Sequence, residues 1–420
     1  MIKEKISAIQ LVYLMAGYVL GTAMILGLGA DTKQDAWIYI LIGMVSSLIL
    51  MVVYTQLSTY YSGDTLVQML PKIIGRFLSF PVILLYIVHF TYSAARACRE
   101  LGDLIVTTIL TETPILVVIG SFMVLMIYCL LGGVETLGRM AEIIFPIYIF
   151  ALILIWFLLF SVESFDVKNL TPVLGNGVQP LLKKAIPTAI NFPFGETIVI
   201  MMFFPFLSNK KQIRKIGLSA LVIGGILLTV NSIMMLSTLG PEIYSRDLFT
   251  LLAATQMVSV ADFLERFDAL VILMMVAGVF FKVGGFTFGA SIAISQLFKL
   301  KQTRSVLISL GLIITPLSLI TSSNYVEHID FGFKFFVPYF LTLLQIIVAI
   351  LLLFTAMIRK KLGFDRLSNE LKGHSYLLKE VGSCIVQALM KERRSNHTFI
   401  YRKNRIHLLI DPIPIIFLFQ

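Results

Sequence analysis

The chain has 420 residues, of which 58% are hydrophobic and 14% charged, and its formal net charge is +10. A soluble domain has about a quarter of its residues charged, so the composition excludes a soluble protein and places the chain in a bilayer. The basic residues cluster in short loops between apolar runs, which is the positive-inside pattern; no zinc spacing, stacking-aromatic motif or basic groove points to nucleic acid.

A bilayer core takes roughly 20 apolar residues per helix, and that ruler gives about ten candidate spans. They lie near 9–30, 37–57, 77–99, 114–132, 140–161, 184–206, 216–238, 267–297, 304–321 and 333–358. Period-two alternation is absent, which argues against a barrel. The expected fold class is therefore an all-α integral membrane protein. Its transmembrane domain occupies 1–361 and a basic tail occupies 362–420. The charged lead M-I-K-E-K precedes a first apolar run that exceeds signal-peptide length and has no A-x-A site, so it reads as a retained span. Residues 64–75 read as a short interfacial helix on the inside, and 241–263 as amphipathic helix on the outer face. S-N-K-K-Q-I-R-K at 208–215 is the strongest inside anchor, and both termini fall inside. The tail ends I-D-P-I-P-I-I-F-L-F-Q, too short to span; an interfacial anchor and a segment without a selected role both remain open. Cys98, Cys129 and Cys384 are scattered and read as small packing residues.

Two spans are interrupted. Span one contains G-Y-V-L-G-T-A-M-I-L-G-L-G-A at 17–30, with four glycines. Span six contains F-P-F-G-E-T at 192–197, where Pro193 removes a backbone donor and Gly195 lets the chain leave helical geometry. Spans one and six of ten hold the same place in a five-plus-five arrangement. An odd number of spans per half makes the halves antiparallel, an inverted repeat. Paired Gly/Pro-interrupted spans are the sequence pointer to a transporter-type binding site. Freed N–H groups there can hold a carboxylate and freed carbonyls an ammonium, which suits a zwitterionic amino acid. The glycines also fit plain close packing of helices. The candidate ligand-binding set is Gly21, Thr22 and Ala23 at the first break and Phe194, Gly195, Glu196 and Thr197 at the second, with Tyr92 as a cavity wall.

Glu196 is a carboxylate at membrane depth, so it is paired, protonated or wet. It can bind an amine, carry a proton or cap a half-helix. Lys282, in F-F-K-V at mid-span eight, cannot snorkel; its ammonium can replace a bound cation and hold two helices together. Arg96, Arg99, Glu100 and Asp103 share one helical face and read as an interfacial ion-pair ladder. His89 reads as a packing residue, and Glu265-Arg266 as a surface pair. No Ser-His-Asp set, paired catalytic acids or P-loop occurs, so neither an enzyme nor a cofactor or metal is expected.

Several short motifs then accumulate in order. They are K-I-S-A-I-Q-L before span one, Q-D-A-W at 34–37, R-E-L-G-D-L-I at 99–105, and T-P at 113–114. Downstream follow F-P-F-G-E with F-F-P-F, E-R-F at 265–267, and F-F-K-V with Q-L-F-K-L-K. Together, over about residues 3–361, they resemble the B-subunit family of spore germinant receptors, the GerAB/GerKB type. That family lies within the amino acid–polyamine–organocation transporter superfamily. The resemblance implies a LeuT-like fold and nutrient sensing in the inner membrane of the spore. It also implies a complex with an A-type membrane subunit and a C-type lipoprotein, and a small ligand, typically an amino acid. It carries over to Gly195, Glu196 and Lys282, and supports Gly21 and Thr22. The tail departs from the family pattern, whose members end soon after span ten. A secondary amino-acid transporter of the same superfamily is the rival expectation, since fold alone does not decide function.

Overall fold

The computed structural model describes residues 5–175, 177–258, 267–300 and 302–361. The tail from 362, the Glu265-Arg266 pair and the end of the 241–263 segment lie outside the described residues. Among the described residues, eight helices are long and apolar enough to cross a membrane, and two shorter apolar helices, Ala8–Leu20 and Ile115–Leu131, stand where spans one and four were expected.

Helix α1 (Ala8–Leu20) starts at a capping box: Ser7 and Gln10 each bond the other's backbone N–H, which satisfies donors that a helix start leaves free. Just before it, Ile6 exchanges backbone bonds with Phe206 and Ser208, at 3.0 and 3.1 Å. The entry to span one is thereby tied to the exit of span six. Helix α2 (Ala36–Tyr60) follows. Helix α3 (Leu66–Thr108) has 43 residues, bent at Gly75, where φ is 81°. The short segment before the bend matches the helix expected over 64–75. Helices α4 (Ile115–Leu131) and α5 (Gly133–Phe160) complete the first half.

Span six is α6 (Val178–Ala189), then a π-helical turn over Ile190–Phe194, then a 3-10 stretch over Gly195–Met202. Helix α7 (Ile213–Arg246) bends at Gly240, ahead of Pro241. The polar segment after that bend continues into the short α8 (Thr250–Gln256). Helices α9 (Phe267–Leu297) and α10 (Thr303–Ile320) are unbroken. Span ten is not the single helix expected over 333–358. It runs from α11 (Tyr325–Phe331) through a π-helical stretch, Gly332–Ile347, into α12 (Val348–Lys361). Pro338, inside the π stretch, cannot supply a helical N–H.

Spans six and eight form the centre. Their most apolar stretches are 78% and 72% buried, against 33% for α5. α9 lies against α3, α1 and α5, while α7 lies against α1 and α2. Large apolar side chains on the periphery, such as Phe150, Phe157, Leu312 and Ile320, point outward and are exposed. That is the surface a bilayer covers, since lipid rather than water is its solvent.

Candidate functional site

The first break begins where the N–H of Gly21 makes a last helical bond to the Gly17 carbonyl, 2.8 Å. Gly21 then turns away with φ 31° and ψ −130°. Glycine is required there twice over. The angle disfavours any side chain, and a Cβ would meet the aliphatic stem of Lys282. Beyond the turn, the Asn231 amide donates to the Met24 carbonyl at 2.8 Å, and the Tyr244 hydroxyl to that of Leu28 at 3.0 Å.

The second break is handled in the same way. Phe192 takes extended angles, φ −123° and ψ 123°. Ser47 donates to the Ile190 carbonyl at 3.3 Å and Tyr18 to that of Glu196 at 3.2 Å. The Tyr54 hydroxyl lies 3.3 Å from the Gly195 carbonyl and 2.8 Å from that of Gln345. Its one proton serves the shorter contact first. Tyr86 donates to the Leu344 carbonyl at 2.8 Å. Backbone carbonyls left unpaired in a membrane cost several kcal/mol each, and protein hydroxyls remove that cost here. The carbonyls of Ile190 and Glu196 each accept one protein donor, which leaves each a second lone pair.

Lys282 joins the two breaks. Its ammonium is 2.7 Å from Oε2 of Glu196 and 4.2 Å from the centre of the Phe192 ring, and its side chain is 2% exposed. Its stem lies over Gly21, and Gly278, one turn earlier on α9, abuts the Gly21 backbone. Close glycine packing and a helix break thus coexist in span one.

A small cavity sits at this junction. Thr22 lines it from span one, Glu196 from span six, Lys282 from α9, and Ser93, Arg96 and Glu100 from α3. Phe192, Phe286, Phe333 and Phe336 supply aromatic walls. About 20 Å³ is open to the centre of a water-sized sphere, room for one or two waters at about 10–15 Å³ each. Of the residues expected from sequence, Thr22, Glu196 and Lys282 reach this cavity. Gly21, Ala23, Phe194, Gly195 and Thr197 are buried behind its wall, where they shape the breaks. Tyr92 stands further off, half-buried, its ring 4.9 Å from that of Phe336.

The ladder on α3 is not interfacial. Arg96, Arg99, Glu100 and Asp103 are between 5% and 9% exposed. Arg99 holds Asp103 at 2.8 Å and donates to the Leu319 and Ser322 carbonyls. Both terminal nitrogens of Arg96 donate to the His328 carbonyl, at 3.2 and 3.3 Å. The His328 ring faces Glu100 at 3.4 Å. The segment from Leu319 to His328 therefore folds back over this end of α3 and buries the charges. A signal was present in the sequence: S-A-A-R-A-C surrounds Arg96 with small residues, and Ala94, Ala95 and Ala97 are all buried. A helix small on every side is one that neighbours cover. His89 sits among Phe90, Phe286, Phe336 and Phe340, as a packing residue does, with Ser93 at 3.2 Å from its Nδ1. Among the described residues, no three metal-ligating side chains converge.

Comparison with known proteins agrees with this architecture. Two solved structures share it: Mhp1, a nucleobase-cation-symport-1 family transporter in a closed conformation with bromovinylhydantoin bound, and MhsT in complex with L-phenylalanine. Mhp1 aligns with TM-score 0.62 and 13% identity, over 81% of this chain and 75% of its own. MhsT aligns with TM-score 0.62 and 14% identity, over 82% and 88%. At such identity the likeness establishes the fold alone, a LeuT-type membrane bundle with spans one and six broken. Spore germination protein KB of Bacillus subtilis (strain 168) is 32% identical over 361 residues, covering 86% of this chain and 96% of that protein. Spore germination protein YndE of the same organism is 26% identical, over 71% and 82%. Spore germination protein XB of Bacillus anthracis is 20% identical, over 60% and 69%. Residues 5–326 match the family described as Spore germination protein. By that match and the identity to protein KB, this integral membrane chain belongs to the spore germination protein family.

Proposed function

We propose that the chain is the B-type membrane subunit of a spore germinant receptor, binding a small nutrient, an amino acid, at the junction of the two breaks. Family membership supports the role in germination. The observation that carries the binding reading is the small cavity lined by both breaks and by charged groups of each sign. Its free volume is too small for an amino acid, so occupancy requires the surrounding spans to move apart. A ligand that fits only an opened bundle has different affinities for two states, which is what a population shift demands. Under this reading the shift passes to an A-type membrane subunit and a C-type lipoprotein in the inner spore membrane.

The test is germination of spores deleted for this gene against single amino acids and sugars. Loss of one response, restored by complementation, is the expected result. Unchanged responses in spores without other receptors would refute the receptor role. The second reading, a secondary amino-acid transporter, draws on the fold shared with the transporter Mhp1 and with MhsT, solved with L-phenylalanine, and requires net flux into vesicles by the lone chain.

A further inference from the structure

The cavity's two cations are not equally satisfied. Lys282 has a carboxylate oxygen at 2.7 Å and an aromatic face beneath it. Arg96 has neither so close. Both of its terminal nitrogens share one neutral acceptor, the His328 carbonyl. Oε1 of Glu100 is 4.0 Å from it, and that oxygen also faces the His328 ring at 3.4 Å. The Phe336 ring lies 5.6 Å from its Cζ. A guanidinium presents five donors in a planar fork that matches a carboxylate, and this one is 9% exposed on the cavity wall.

A second polar group on the same cavity lacks a partner altogether. Oγ1 of Thr22, a residue 1% exposed, is buried without a hydrogen bond. A carboxylate has lone pairs enough to take both the guanidinium and the hydroxyl. The charged lining residues are two basic, Arg96 and Lys282, and two acidic, Glu100 and Glu196. A zwitterion keeps that sum at zero, whereas an anion leaves an uncompensated buried charge.

We infer that Arg96, with Thr22, holds the carboxylate of the amino-acid ligand, and that a simple anion without an ammonium is not accepted. The assignment rests on the receptor reading. It also gives binding a mechanical consequence: a carboxylate on Arg96 competes with the His328 carbonyl, and so loosens the segment that covers α3.

The test uses spores in which other germinant-receptor genes are deleted, with L-amino acids, their carboxamides and neutral sugars as probes. Germination by one L-amino acid but not by its carboxamide is expected. Arg96→Lys should raise the half-maximal concentration at least about ten-fold, because a point charge replaces a bidentate fork, with subunit abundance unchanged by immunoblot. Thr22→Val should raise it by a smaller factor. Equal germination by acid and carboxamide, a response confined to sugars, or an unaltered Arg96→Lys response would overturn the assignment while leaving the receptor reading intact. If deleting the gene alters no nutrient response, the receptor reading falls and this assignment with it. The carboxamide comparison uses the unaltered chain, so it decides the matter even where a variant fails to accumulate.

Discussion

Glu196 and Lys282 are two desolvated ions held in one short contact, and each is the other's main compensation. Removing one charge from such a pair is costly, on the order of 3–5 kcal/mol, because the survivor stays buried. Lys282→Met should therefore lower the melting temperature of the purified chain more than the Glu196→Gln, Lys282→Met double variant does. Additive losses in that cycle would mean that the pair is not coupled. Glu196→Gln keeps an oxygen that can accept from the ammonium, so that variant should reach the membrane in normal amount yet respond weakly to nutrient. A wild-type dose response would remove Glu196 from the site. Both residues drew attention in the sequence because an ionisable group at mid-span is costly unless it is paired or wet. For Arg96 the small neighbours in S-A-A-R-A-C were a mark of burial, but charges spaced three and four apart read first as an interfacial ladder. Its acceptor on His328 is 232 positions away in the chain, and no local pattern announces that.

At the scale of elements, the helix breaks are maintained by tyrosine hydroxyls. Tyr18, Tyr54 and Tyr86 are fully buried, come from three different spans, and all donate to carbonyls of spans six and ten. Tyr54→Phe leaves a buried carbonyl without its donor, a loss of about 1–3 kcal/mol. It should lower thermal stability in detergent, whereas Tyr128→Phe, on a residue whose side chain is 78% exposed at the periphery, should not. Equal effects would refute the clamp. Gly21→Ala meets both an unfavourable angle and the Lys282 stem, so it should abolish the nutrient response even where the chain accumulates. The positions of the two breaks were readable from Pro193, Gly195 and the glycines of span one. The clamps were not, since a tyrosine in an apolar run looks like any other aromatic. The π-helical stretch of span ten carried a readable mark in Pro338, yet continuous hydrophobicity concealed it.

Across the described residues, each of the ten expected spans contains apolar helix, because length and hydrophobicity specify a membrane helix. The side on which each loop lies follows from basic residues and is open to direct measurement. In a cysteine-free background, Ser208→Cys should react with an impermeant thiol reagent from the inside and Glu163→Cys from the outside. Both positions are exposed, Glu163 in the segment between α5 and span six and Ser208 just after span six. The reverse labelling would invert the orientation. One consequence of the junction follows from covalent bonding. A metal cation lodged between two helices can be loaded from one compartment and discharged into the other, but the ammonium of Lys282 is tethered to its own backbone and never leaves. No metal-ion gradient can do work through that position. Under the receptor reading, the pair then fastens spans six and eight together at the point where an exchangeable metal ion would otherwise sit.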